Sequence, residues 1–322
     1  MERLRRLLPD EVYKRAIEED SLILYSGDVN DFHFTMGVLR KVEPTEVYNL
    51  AAQSHVHRSF EQPILTARVD GLGVLNMLDV LRITCPRARF FQASSSELFG
   101  NTSCSPQSED TSFYPRSPYA VAKLMAHWTV VNYRESYGIF ACNGILYNHE
   151  SPRRGEEYVT RKIVKSAVSI ALGKSDCLYL GNLDAERDWG HAREYVECMW
   201  LMLQVDQPED FVISTGKLHS VRELVKLAFH LLGVVVVFRG EGTEEVGLNA
   251  ESGCVIVRVS SKFFRPLEGL RLVGDSSKAT RILGWSASSD CFRTIIQEMV
   301  DSELHIHGYH IRGGELVKYA ID

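Results

Sequence analysis

No cysteine of this chain stands in a C-x-x-C pair. The seven cysteines (Cys85, Cys104, Cys142, Cys177, Cys198, Cys254 and Cys291) are odd in number and scattered. That pattern argues against a disulfide framework and against a thiolate zinc site, and it fits reduced thiols. No metal centre is expected. Long apolar runs are absent too: none approaches the ~18 residues that would cross a membrane. The opening MERLRRLLPDEVYKR is basic, but its apolar run is too short for a signal-peptide core, and acidic residues follow. A cytoplasmic protein without a membrane partner is expected. Excess positive charge is missing as well. Lys and Arg number 36 against 42 Asp and Glu, for a net charge of -6, which argues against a nucleic-acid scaffold. Internal repeats and low-complexity segments are not found.

What is present is an ordinary globular composition, 45% hydrophobic and 24% charged over 322 residues. That length allows one large α/β domain or two smaller ones. Leu22 to Tyr25 reads as a buried strand ended by Ser26-Gly27-Asp28. Asp31 to Lys41 has helical spacing, Glu46 to Ala52 reads as a strand, and Ile64 to Ile83 as a long helix. Arg89 to Ala93 is a third strand. Ser117 to Tyr137 is a strong helix with Ser117 to cap it, Pro118 in its first turn and Gly138 to end it. Ile139 to Tyr147 is a fourth strand. Alternating strands and helices imply a parallel sheet covered on both faces, with ligands at the carboxyl ends of its strands. After Tyr147 the pattern loosens. Asn148 to Gly155 and Leu180 to His191 read as polar loops, and Arg161 to Leu172 and Glu194 to Leu203 as helices. Phe211 to Thr215 reads as a strand, and Ser220 to Glu223 as a capping box. Gly240 to Gly253 reads as a loop and Val255 to Val259 as an edge strand. Ser276 to Leu283 and Asp290 to Leu304 read as closing helices.

The chemistry concentrates between Gln92 and Lys123. A Ser-Ser-Ser-Glu turn (Ser94, Ser95, Ser96, Glu97) follows an apolar strand, and Tyr119 and Lys123 lie one helical turn apart. A phenol titrates near ~10 and serves as a base at neutral pH only where a cation stabilises its phenolate. Lys123 is placed to do that, and a strand-end serine can bond the same substrate oxygen. Such a group removes a hydroxyl proton while a hydride leaves the same carbon for a nicotinamide. Taken alone, Tyr-x-x-x-Lys is commonly an exposed helical pair, and a lone glutamate is commonly a surface residue. The serine-rich strand end favours the chemical reading. Glu97 then adds what a plain dehydrogenase does not need: a carboxylate able to take the proton beside a ketone.

Five blocks, QASSSELFG, FYPRSPYAVAK, NGILYNHESPRRG, LGNLDAERDWGHAREYV and EDFVISTGKLHSVRE, carry a resemblance. The chain resembles the GDP-mannose 4,6-dehydratases, members of the extended short-chain dehydrogenase/reductase family, over roughly Leu22 to Val300. The resemblance implies a Rossmann-like doubly wound parallel sheet, shortened at the N-terminus, with a smaller C-terminal substrate-binding part. Residues 1–150 are expected to form the cofactor-binding part, with sheet contributions from later segments such as 211–215. Residues 151–322 are expected to be mainly substrate-binding. It also implies NADP as cofactor and conversion of GDP-mannose to GDP-4-dehydro-6-deoxy-mannose, a GDP-fucose precursor. The steps implied are oxidation at carbon 4, loss of water across carbons 5 and 6, and hydride return to carbon 6. A homodimer or homotetramer is implied.

By position, Ser95 stands where the family has a catalytic threonine. Glu97 matches the carboxylate for carbon 5, Tyr119 the base at carbon 4, and Lys123 its partner, which also holds the nicotinamide ribose. Asp28, Val29, the loop Leu50, Ala51, Ala52, Gln53, Ser54, and His149 and Arg154 match cofactor contacts. Asn148, Glu150 and Lys162 are expected to face the sugar or its phosphates. Arg187, Arg222 and Arg265 are expected to clamp the diphosphate, and Glu268 to bond the guanine or ribose. Three departures stand out. The family's opening strand and glycine-rich phosphate turn are not found, as expected of a shortened chain, and Gly71 and Gly73 fall inside a helical pattern. Leu65 replaces a tyrosine, and Gly269-Leu270 replaces a Val-Asp pair. The alternatives are a non-catalytic relative, or an epimerase or reductase of the same fold, which would have no use for Glu97.

Overall fold

The computed structural model describes residues 14–16, 18–19, 21–263 and 271–319. The first element with described bounds is helix α1 (Phe32–Val42), opened by the Asp31 carboxylate, which accepts from the Phe34 amide at 3.0 Å. Strand β1 (Glu46–Asn49) follows, then the short helices α2 (Val56–Glu61) and α3 (Pro63–Thr66). A π-helical segment, Ala67–Leu72, joins α3 to α4 (Gly73–Thr84). The long helix expected from Ile64 to Ile83 is therefore present but carries a widened turn. Strand β2 (Arg89–Ser95) leads into helix α5 (Pro118–Tyr137), and strand β3 (Ala141–Leu146) follows. Ser117 caps α5 through the Ala120 amide at 3.1 Å, and Gly138 closes it in the left-handed conformation at φ 66°.

The second half adds strand β4 (Asn148–Glu150), helix α6 (Val159–Ala171), and strands β5 (Leu178–Leu180), β6 (Glu186–Arg187) and β7 (Trp189–His191). Helix α7 (Ala192–Met202), strands β8 (Phe211–Ile213) and β9 (His219–Ser220), and helix α8 (Val221–His230) come next. Strands β10 (Val236–Arg239), β11 (Val246–Asn249) and β12 (Val255–Val259) form a meander. Helices α9 (Ser277–Leu283) and α10 (Cys291–Ile306) and the hairpin β13 (Tyr309–Arg312)–β14 (Glu315–Lys318) complete the described chain.

The parallel sheet runs β1-β2-β3-β8. Its inner strands are apolar because both faces are covered. Phe90, Val130, Leu78 and Ile139 pack on one face, and Phe91, Tyr195, Met199 and Phe211 on the other. Gly144 in β3 is required by close approach: a Cβ there would meet the Phe91 ring at 2.7 Å. A mixed sheet, β10-β11-β12-β5, packs with α6, α8 and α10 around a separate core that includes Ile163, Leu224, Phe229, Val257 and Met299.

Several sequence expectations need correction. Leu180 to His191, expected as a polar loop, holds strands β6 and β7. Leu22 to Tyr25 is not a strand; Ile23 is 55% exposed and Tyr25 37%. A strand needs a ladder partner for its amides and carbonyls, and among the described residues β1 is the outermost parallel strand with none beyond it. Gly240 to Gly253 is not one loop, since it contains β11. Finally, β12 is internal, paired on both sides, with Val257 fully buried.

Candidate active site

The carboxyl end of β2 brings the chemistry together. Ser94 and Ser95 close the strand, and the single 3-10 turn Ser96–Leu98 carries Glu97, whose amide donates to the Ser95 hydroxyl at 3.2 Å. Helix α5 packs on β2 and presents Tyr119 and Lys123 from its first turns. Tyr119 is 9% exposed and Lys123 2%, so this is not the solvated helical pair of the bland alternative. The Ser95 side chain hydrogen-bonds the Tyr119 phenol, and Glu97 and Asp70 both act on that phenol electrostatically. Four of the residues singled out from sequence thus meet at one place.

Their electrostatics differ from the sequence expectation in one respect. Burial pushes the Tyr119 phenol well above its usual range, and the hydrogen bond from Ser95 works the other way. The Lys123 ammonium sits 5.8 Å from the Tyr119 ring centre and donates to the Ala93 carbonyl at 3.1 Å. Burial lowers the Lys123 pKa, and the Asp70 carboxylate opposes that fall. In this state the phenol is held protonated rather than primed.

The loop Leu50 to Ser54 leaves the carboxyl end of β1, beside β2. The Gln53 amide donates to Asp70 Oδ1 at 2.6 Å, and Ser54 pairs with the Tyr158 hydroxyl at 2.8 Å. Leu50 is 56% exposed, and Ala51 and Ala52 are half-buried. Asp28 is exposed and closes its own turn by accepting from the Asn30 amide at 2.9 Å, while the Val29 carbonyl accepts from Asn76.

NHESPRRG is not simply a loop, because Asn148, His149 and Glu150 form β4, paired in parallel with β7. His149 stacks on Tyr195 at 4.9 Å, and its Nδ1 donates to the Tyr147 carbonyl at 2.9 Å. Burial pushes this imidazole down to about 4, so it is neutral at pH 7 with Nε2 as its acceptor. Glu150 is buried, accepts from Thr160 at 2.6 Å and pairs with Arg154, which also lies 3.6 Å over the Tyr158 ring.

The more distant candidates are dispersed. Lys162 lies 3.6 Å over the Phe263 ring, and its pKa is lowered by burial and by Lys262. Arg187 donates to the Glu186 carbonyl at 2.7 Å. Arg222 pairs with Asp184 and Glu245, so its charge is already answered by two carboxylates. Arg265 and Glu268, with Gly269 and Leu270, lie outside the described residues. A cleft bordered by Glu43, Thr45, Arg87 and Gln204 opens at the opposite, amino ends of β1 and β2 and holds none of these groups.

Two residues were missed. Tyr158 links Ser54, Arg154 and the Tyr119 field. Asp70 is fully buried beside Lys123. Its signal was present in the sequence: Thr66, Asp70 and Val74 share one helical face, and all three are buried.

A parallel sheet with serine, tyrosine and lysine gathered at the carboxyl end of an inner strand defines a Rossmann-like protein of the short-chain dehydrogenase/reductase kind. The sequence model described as "GDP-mannose 4,6 dehydratase" matches residues 3–299. The GDP-mannose 4,6 dehydratase of Dictyostelium discoideum is 49% identical over 301 residues, covering 92% of this chain and 83% of that one. GDP-mannose 4,6 dehydratase 2 of Caenorhabditis elegans is 53% identical over 287 residues, covering 88% and 74%. The human GDP-mannose 4,6 dehydratase is 50% identical over 302 residues, covering 92% and 81%. The chain belongs to the GDP-mannose 4,6-dehydratase family. Among solved structures, RMD from Pseudomonas aeruginosa complexed with NADPH has a TM-score of 0.73 at 19% identity and covers 88% of each chain. DesIV, a dTDP-glucose 4,6-dehydratase from Streptomyces venezuelae with NAD and TYD bound, has a TM-score of 0.69 at 22% identity, covering 84% and 77%. These likenesses establish the fold.

Proposed function

We infer that the chain converts GDP-mannose to GDP-4-dehydro-6-deoxy-mannose and that NADP is its cofactor. The single observation that carries the chemistry is the meeting of Ser95, Glu97, Tyr119 and Lys123 at the end of β2, in a chain about half identical to dehydratases of that name. The residues present fit the nicotinamide side of a dinucleotide. A buried lysine and tyrosine stand at a parallel-sheet carboxyl end, beside a loop from the neighbouring strand. On the phosphate side the loop Leu50 to Ser54, at the carboxyl end of β1, is assigned to the cofactor. When bound, a nicotinamide supplies the hydride acceptor and, in its oxidised form, a positive charge that favours the Tyr119 phenolate.

The chain's own residues do the remainder. Tyr119 takes the carbon-4 hydroxyl proton, and Ser95 holds the same oxygen by hydrogen bond. Lys123, from the same helical face, stabilises the phenolate. The ketone so formed acidifies the neighbouring carbon-5 hydrogen, and Glu97 removes it as the carbon-6 hydroxyl leaves. An epimerase or reductase has no step for that carboxylate. Asn148, Glu150, Lys162, Arg187, Arg222, Arg265 and Glu268 are assigned to the sugar and its diphosphate nucleoside. Asp28, Val29, Leu50 to Ser54, His149 and Arg154 are assigned to the cofactor. Residues 1–150, with β8, form the cofactor part, and 151–322 mainly the substrate part. A homodimer or homotetramer in the cytoplasm completes the assignment.

The second reading, a non-catalytic relative, is favoured by the burial that holds the Tyr119 phenol protonated. Incubation of the purified chain with GDP-mannose and NADP separates the two. The 4-keto sugar nucleotide is the expected product; its absence under saturating NADP contradicts the catalytic reading.

A further inference from the structure

Asp70 is fully buried at the centre of the π-helical segment Ala67–Leu72. Single π turns within helices mark places where a side chain has been re-aimed for function. Here the segment lies tightly on α5: a Cβ at Gly71 would meet Met125 Sδ at 3.0 Å and the Ala122 carbonyl at 3.5 Å. That contact delivers Asp70 to the part of α5 carrying Tyr119 and Lys123. Its Oδ1 accepts from the Gln53 amide at 2.6 Å, while Oδ2 is buried with no hydrogen-bond partner among the described residues. A buried carboxylate left half satisfied is costly and calls for a reason.

The reason stands beside it. Lys123 is also buried, which disfavours its charged form, and the Asp70 charge is what works against that loss. The groups facing this cluster are Lys123 and Tyr119 from α5, Glu97 from the end of β2, and Tyr158 from the residue that opens α6. Lys123 is the only cation among them. We propose that Asp70 is a positioning residue of this enzyme: its carboxylate keeps Lys123 in its charged form and ties that charge, through the Gln53 amide, to the loop Leu50–Ser54. The inference rests on the dehydratase reading for its consequence, because a cationic Lys123 is what makes Tyr119 available as a base. A merely structural Asp70 would hold the loop through Gln53, a task an asparagine oxygen performs equally well.

The test follows the Lys123 side chain directly by nuclear magnetic resonance of the full chain labelled with [13Cε]lysine, its signal assigned with Lys123→Arg. In the wild-type protein the Lys123 signal is expected to show a minor inflection near pH 6, where Asp70 titrates, besides its own midpoint. In Asp70→Asn, which keeps the acceptor but removes the charge, the inflection should vanish and the midpoint fall by about one pH unit. An unchanged midpoint with the inflection retained overturns the proposal. Should Asp70→Asn fail to fold, absence of the wild-type inflection overturns it alone. With GDP-mannose, the alkaline limb of kcat should move down by the same interval while KM holds. A wild-type chain without turnover would refute the functional reading and leave the spectroscopic result to decide the coupling.

Discussion

Burial acts on Tyr119 and Asp70 in the same sense, favouring the protonated form of each. The phenol is kept protonated, and the Asp70 carboxyl is pushed up to about 6. Tyr119→Phe removes the proton acceptor but not the ring, so kcat should fall by about 100- to 10,000-fold with KM little changed, read by steady-state kinetics. Asp70 has a stability consequence. Its folded-state pKa lies above the ordinary 3.8, so the folded state holds the proton more tightly. The favourable contribution is complete below pH 4 and is lost as pH rises through 6, leaving a buried charge at neutrality. Asp70→Asn should therefore stabilise the fold at pH 8 by up to roughly 3 kcal/mol and leave it nearly unchanged at pH 4, measured by urea unfolding at both. His149 runs the other way. Its pKa is lowered to about 4 from 6.5, so its contribution is present above 6.5 and lost as pH falls towards 4. Ser95, Glu97, Tyr119 and Lys123 were readable as a set because residue type and spacing alone carry that chemistry. The burial of Asp70 was legible from the helical face it shares with Thr66 and Val74, but its pairing with Lys123 and the links of Tyr158 were not, because those arise from contacts across elements.

The site depends on where β2 ends and where α5 begins. Ser117 and Pro118 start α5 so that Tyr119 and Lys123 lie in its first turns. Ser117→Ala leaves the Ala120 amide without its acceptor and should cost about 1 kcal/mol, seen as a lowered Tm. Gly144→Ala in β3 drives a methyl group into the Phe91 ring and should cost about 1–3 kcal/mol. Most of this level was legible: α1, α4, α5, β1, β2, β3 and the Ser220 capping box follow from periodicity and end signals, and the structure has each of them. Leu22 to Tyr25 was misread because apolar content signals a strand only where a neighbouring strand receives it. The π turn at Ala67–Leu72 was not distinguished because Ile64 to Ile83 was read as a single uninterrupted helix. β10, β11 and the β13–β14 hairpin were missed because short antiparallel strands carry weak alternation.

At the scale of the molecule, two cores serve two tasks. The parallel sheet, sandwiched by helices, sets the reacting residues at its carboxyl edge, while the separate core around α6, α8 and α10 supports β5 and the residues assigned to GDP-sugar. The family's reaction leaves no net redox change, and that is what distinguishes it from every simple dehydrogenase of the same fold. GDP-mannose carrying deuterium at carbon 4 tests this most directly. With NADP in excess, the product should carry the deuterium at carbon 6, and no reduced cofactor should accumulate. Deuterium recovered in the free cofactor, or a sugar product that keeps its carbon-6 hydroxyl, would contradict the account.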